Sequence, residues 1–108
     1  MDLTTSDLAD GTVVTLVGRF DAHEVPAFRD SVAPLLDRDG DLVVDLFSVV
    51  FIDSSALAEL VRTSKLAKER DTRFALRNLS APVRVILELT GLHLALEVED
   101  AATVREPS

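Results

Sequence analysis

The chain has 108 residues, 47% of them hydrophobic and 28% charged, which is the make-up of one small folded domain and excludes a disordered chain or two separate cores. A formal charge of −8 with no basic cluster excludes a nucleic-acid surface and points to protein partners. With no cysteine there is no disulfide framework, thiolate zinc site or redox pair. The amino terminus has no signal-like apolar segment, and no apolar run is long enough to cross a bilayer, so a cytoplasmic protein is expected, with no membrane contact.

In chain order, Leu3 to Leu8 and Thr12 to Val17 read as two strands joined by a hairpin at Asp10-Gly11, where both residue types tolerate positive φ. The first should run antiparallel to the second. Gly18-Arg19-Phe20-Asp21 closes the second strand. Val25, Phe28, Val32, Leu35 and Leu36 then recur at helical spacing, with Pro26 acceptable only in the first turn and Pro34 marking a kink or an early end. The acidic linker Asp37 to Asp41 is no calcium loop. With its first ligand at Asp37, an EF-hand would need Gly in place of Leu42 and Glu in place of Ser48.

Leu42 to Phe47 reads as a third strand, apolar enough to be covered on both faces, with Asp45 as an exception that requires a partner. Ser48 to Ile52 is read as the connection to a second helix that starts around Asp53, Ser54 and Ser55. Arg73 to Arg77 is a fourth strand, and Ser80 caps a third helix with Val83, Ile86, Leu87 and Thr90 on one face, ended by Gly91. Leu94 to Val98 reads as a fifth strand, and residues 101–108 as a terminal turn and frayed tail. The order β-β-α-β-α-β-α-β predicts a single α/β domain over residues 1–108. Its mixed sheet of four to five strands has an antiparallel amino-terminal edge strand and helices packed against it.

Function in such sheets gathers beyond the carboxyl ends of the parallel strands. Two loops qualify, Gly18 to His23 and Ser48 to Ser55, and they are expected to share an edge. On a wheel of about 100° per residue, Asp53, Leu57, Leu60, Val61, Ser64 and Lys68 form the inward arc with Ser54 near it. Ser55 projects outward in line with Ala58, Glu59, Arg62 and Leu66. A carboxylate and two hydroxyls at a strand-to-helix switch suit either a helix cap or a phosphate, because the first-turn amides there are unpaired.

Val50-Phe51-Ile52-Asp53-Ser54-Ser55-Ala56-Leu57, after the strand Val43-Val44-Asp45-Leu46, resembles the phosphorylation segment of the bacterial anti-sigma factor antagonists of the STAS domain family. Val17-Gly18-Arg19-Phe20-Asp21 is similar to that family's Gly-x-x-Asp loop, and Leu76 to Ser80 with Leu89 to Leu92 to its last strand-helix unit. The resemblance implies a STAS fold and a partner switch. The unphosphorylated domain binds an anti-sigma factor that is itself a serine kinase and so frees the sigma factor. Phosphorylation of Ser55 abolishes binding, and a serine phosphatase resets it. The implied partner-binding set is Asp21, Asp53, Ser54, Ser55, Ala56, Ala58, Glu59, Arg62 and Leu66, in a monomer or weak dimer without cofactor, metal or catalytic residues. Ala56 departs from the Gly that many members carry, and its methyl group is expected to limit the partner's approach.

The alternative within the family is a non-switching interaction module, in a stress-signalling scaffold or beside a transporter ATPase. A hydrolase built from Ser55, His23 and Asp21 or Asp53 would lack the G-x-S-x-G elbow. A receiver domain lacks its acidic pair at Leu16-Val17-Gly18, and four glycines provide no P-loop.

Overall fold

The computed structural model describes residues 1–99. Its elements are β1 (Asp2–Leu8), β2 (Gly11–Phe20), α1 (Val25–Leu36), β3 (Asp41–Ile52), α2 (Ser54–Glu69), β4 (Phe74–Arg77), α3 (Ala81–Thr90) and β5 (Val98–Glu99). They build one five-stranded sheet in the order β1-β2-β3-β4-β5, antiparallel between β1 and β2 and parallel elsewhere. The fold is the expected mixed α/β sheet with an antiparallel amino-terminal edge. The expected terminal turn at 101–108 lies outside the described residues.

The hairpin turns on Ala9 and Asp10, with Leu8 opposite Gly11. Gly11 is already the first residue of β2, and its lack of a side chain serves a close approach: an added Cβ would lie 2.0 Å from the Asp41 carbonyl oxygen at the start of β3. Pro26 falls in the first turn of α1 as predicted, whereas Pro34, read as a kink or an early end, lies inside the helix, which runs on to Leu36.

Each parallel step adds its strand on the same side of the last, so right-handed crossovers place the helices on one face of the sheet. The core agrees. Val14, Leu16, Val44, Leu46 and Leu76 pack in one cluster with Phe28 and Val32 of α1, Leu57 and Leu60 of α2, and Val83 and Leu87 of α3. The expectation that β3 is covered on both faces holds at Val43, which is 2% exposed, and fails at Phe47 on the same face, which is 72% exposed. Asp45 has the partners it requires. Its carboxylate accepts from the Phe47 amide at 3.0 Å and the Asn78 side-chain amide at 3.1 Å.

Three boundaries differ from expectation, the first being that Gly18 to Phe20, expected as the start of a loop, belong to β2. β3 does not stop at Phe47; Ser48 to Ile52 continue it alongside Val17 to Phe20, and register shifts between Thr15 and Val17 and between Gly18 and Arg19 keep the ladder in step. The predicted strand at Leu94 begins instead as a 3-10 turn, Leu92–Leu94, after Gly91 in the left-handed region at φ 76°, and β5 is confined to Val98–Glu99. Leu94 is consequently 83% exposed while Leu96 is buried.

Candidate functional site

The site grows from where β2 and β3 end side by side. Asp53 has extended backbone after Ile52, and the amide of Asp53 donates to the Phe20 carbonyl at 3.3 Å. Its side chain then caps α2: Oδ1 accepts from the Ala56 amide at 2.9 Å, while Oδ2 reaches across to accept from the Ala22 amide at 3.0 Å. One carboxylate therefore ties the two loops together, and they share an edge as predicted. Donation from the Ala56 amide holds the Asp53 carboxyl below the usual aspartate range; partial burial opposes this, and the Ala22 amide adds to it. Asp21 shapes the neighbouring loop, its Oδ1 accepting from the His23 amide at 3.1 Å and its carbonyl from the Glu24 amide at 2.9 Å.

Both serines are exposed. Ser55 faces out as expected, but the predicted inward placement of Ser54 is overturned, because the buried line of α2 runs through Ala56, Leu57, Leu60, Thr63 and Ala67. The inward arc is thus rotated from the predicted one, leaving Val61 and Ser64 half-buried and Lys68 exposed. Ala56 is 0% exposed, so its methyl group fills the core and does not limit a partner's approach. Nor does Ala56 contribute side-chain surface for a partner.

Glu59 is the other correction. Expected on the outward face, it is 3% exposed. Arg29 of α1 covers it with a two-pronged pair, Nη2 to Oε1 at 2.7 Å and Nε to Oε2 at 3.2 Å, and Arg62 donates from Nη1 to Oε2 at 3.0 Å. The hydrogen bond to Glu59 is the main reason the Arg29 guanidinium is held more firmly protonated than usual. Arg29 is a site-adjacent residue that the sequence reading misses. Its partner lies 30 residues away on another helix, and the only local signal is the i, i+3 spacing of Glu59 and Arg62.

Around the serines the surface is mixed. The Arg19 guanidinium lies 4.1 Å from the centre of the Phe51 ring and its Nε 3.8 Å from Asp21, and Val50 beside them is 64% exposed. On the other side of α2, an open groove of about 710 Å³ is lined by Ser54, Leu57, Ala58, Val61, Leu66 and Thr90 among others. Ala58 and Arg62 are exposed and Leu66 half-buried along this helix. Both oxygens of Asp53 are held by amides, and the ring of His93 lies against the Leu87 carbonyl at 3.2 Å, at the far end of α3.

Fold and site together define a small α/β domain with two exposed serines at a capped helix start, beside the carboxyl ends of β2 and β3. The chain belongs to the STAS family: the family model described as "Mlab, STAS domain" matches residues 3–97. Among its relatives, the anti-sigma-B factor antagonist of Bacillus subtilis (strain 168) is 29% identical over 85 residues, spanning 79% of this chain and 78% of that protein. A STAS-domain containing protein of Pseudomonas aeruginosa (strain UCBPP-PA14) is 31% identical over 100 residues, 91% of this chain and 99% of that one. In structure, an anti-sigma factor antagonist from Mycobacterium paratuberculosis superposes with a TM-score of 0.80 at 26% identity, over 90% of this chain and 83% of that one.

Proposed function

We propose that this single domain is an anti-sigma factor antagonist working by partner switching in the cytoplasm. Unphosphorylated, it binds an anti-sigma factor that is also a serine kinase, through the edge made by Asp21, Ser54, Ser55, the exposed Ala58 and Arg62 and the half-buried Leu66. The kinase transfers the γ-phosphoryl group of ATP to the Ser55 oxygen, the hydroxyl proton leaves, and ADP is released. The added charge at the contact expels the partner, and a serine phosphatase restores the hydroxyl. Supporting observations are the antagonist names of its relatives and, among the described residues, the lack of any helix long and apolar enough to cross a membrane.

The observation that carries this reading is the division of labour at the helix start. Asp53 alone caps α2, so the exposed Ser55 hydroxyl is free to take a charge without loss of the cap. The test is phosphorylation and binding with candidate anti-sigma kinases of the same genome. Ser55→Ala is expected to accept no phosphate and still bind. Ser55→Asp is expected to bind about tenfold or more weakly, ~1.4 kcal/mol. Undiminished binding of Ser55→Asp, or phosphorylation of Ser55→Ala at the wild-type level, overturns the switch.

A second reading, a non-switching STAS module in a stress-signalling scaffold or a transporter assembly, is favoured by one specific observation. The matching family model and the Pseudomonas aeruginosa relative have names that specify a STAS domain and no antagonist. Under that reading Ser55→Asp leaves partner affinity unchanged.

A further inference from the structure

We propose that Arg62 is a phosphate-binding residue for phosphorylated Ser55, moving to it from Glu59 while Arg29 keeps that carboxylate covered. The inference rests on the reading that Ser55 carries a phosphate. Ser55, Glu59 and Arg62 lie at i, i+4 and i+7 of α2, so at about 100° per residue Arg62 is offset by roughly 20° from Ser55 and Glu59 by roughly 40°. The Arg62 side chain already leans toward the amino end of the helix, where its Nη1 meets Glu59 at 3.0 Å. That places the guanidinium about one turn, roughly 5 Å, from the level of Ser55.

The three bonds on Glu59 are not equivalent. Arg29 spans both carboxylate oxygens with two donors, whereas Arg62 contributes one bond to Oε2, an oxygen already served by Arg29 Nε. Arg62 is therefore the arginine that can leave without exposing an unpaired buried charge. Its side chain is 46% exposed, so its Nε and second terminal nitrogen have room to turn toward a new acceptor. A phosphoserine offers about −1.5 to −2 of charge and three acceptor oxygens, against one shared carboxylate oxygen at Glu59. Glu59 keeps both of its oxygens bonded by Arg29, which Asp30 also attracts, so Arg62 is not needed to pair that carboxylate before any phosphate arrives.

The test needs no kinase. Phosphoserine is placed at position 55 of the full chain during its synthesis, and the second ionisation of the phosphate is followed by phosphorus NMR titration. It is expected to fall about half a pH unit lower in the otherwise unmutated protein than in Arg62→Gln, less than a buried partner would give because Arg62 is half exposed. Arg84→Gln, which removes one positive charge from α3, is expected to leave it unchanged. In the unmutated phosphoprotein the Arg62 guanidinium resonance should move with the phosphate titration while that of Arg29 does not, a readout that requires no variant to fold. Equal phosphate titrations with and without Arg62, an equal shift from Arg84→Gln, or a static Arg62 resonance overturns the proposal. None of these outcomes depends on whether a kinase recognises Ser55.

Discussion

The two ends of the parallel strands are built differently. At the amino ends of β2 and β3, backbone meets backbone with no room for a side chain at Gly11, Gly40 sits at φ 102° beside the Asp10 carbonyl, and Arg73 is ringed by Asp41, Glu97 and Glu99. At the carboxyl ends the two loops are joined by Asp53, and around it lie exposed serines, Val50, and Arg19 resting on Phe51. Fastening one end tightly leaves the other free to carry the exposed side chains of the proposed partner edge. Mutations at the first end should act on stability, and those at the second on binding.

The strongest way to break that contrast is Gly11→Ala. A methyl group 2.0 Å from the Asp41 oxygen forces β2 and β3 apart, and about 3 kcal/mol of stability should be lost in urea denaturation. A loss below ~1 kcal/mol would show that the amino end is looser than its geometry. Next comes Asp53→Ala, the exception at the functional end, expected to cost about 1–2 kcal/mol as a lost cap. Because its folded pKa is depressed, the Asp53 contribution is present above the ordinary value of 3.8 and is lost as pH falls through the lower folded value. The stability gap between wild type and Asp53→Ala should therefore be constant from neutral pH down to about 5 and close in stronger acid. A gap that persists in acid would assign the effect to packing.

Arg73→Gln should cost less than its three carboxylate partners suggest. The guanidinium is held firmly protonated, first by its hydrogen bond to Glu97, yet its side chain is 37% exposed and water screens the pairs. A loss of about 1 kcal/mol that shrinks in high salt is expected from paired denaturation curves. Smallest of all, Ser55→Ala should change stability by no more than about 0.5 kcal/mol. A larger change would make Ser55 a structural residue and remove the separation between cap and switch.

How far these features can be read without coordinates varies by the range of the interaction. The hairpin and the Asp53 cap rest on neighbouring residues and are written in local signals: Asp10-Gly11, which marks the turn to within one residue, and a carboxylate three residues before the Ala56 amide; the parallel units show in the alternation of apolar strand runs with helical spacing. The extension of β3 through Ile52 depends on bulges in its pairing with β2, which no single strand specifies. Leu94 and Leu96 alternate like a strand, yet Gly91 starts a 3-10 turn that takes the first of them out of the sheet. Glu59 is polar and on the helix wheel belongs outside. Its burial is decided by Arg29, a residue of α1 that the periodicity of α2 cannot see. Ser54 and Ala56 exchange roles for the related reason that α1 and the sheet, and not the wheel alone, fix how α2 is rotated.

The double attachment of Asp53 also links two amide protons in time. Ala22 and Ala56 donate to opposite oxygens of one carboxylate, so a single rotation of that side chain frees both. Their exchange with deuterated solvent should slow and quicken together, under acid, under partner binding and under phosphorylation alike. Correlated exchange at Ala22 and Ala56, the first of which lies 31 residues from the shared carboxylate, would show the two loops opening together.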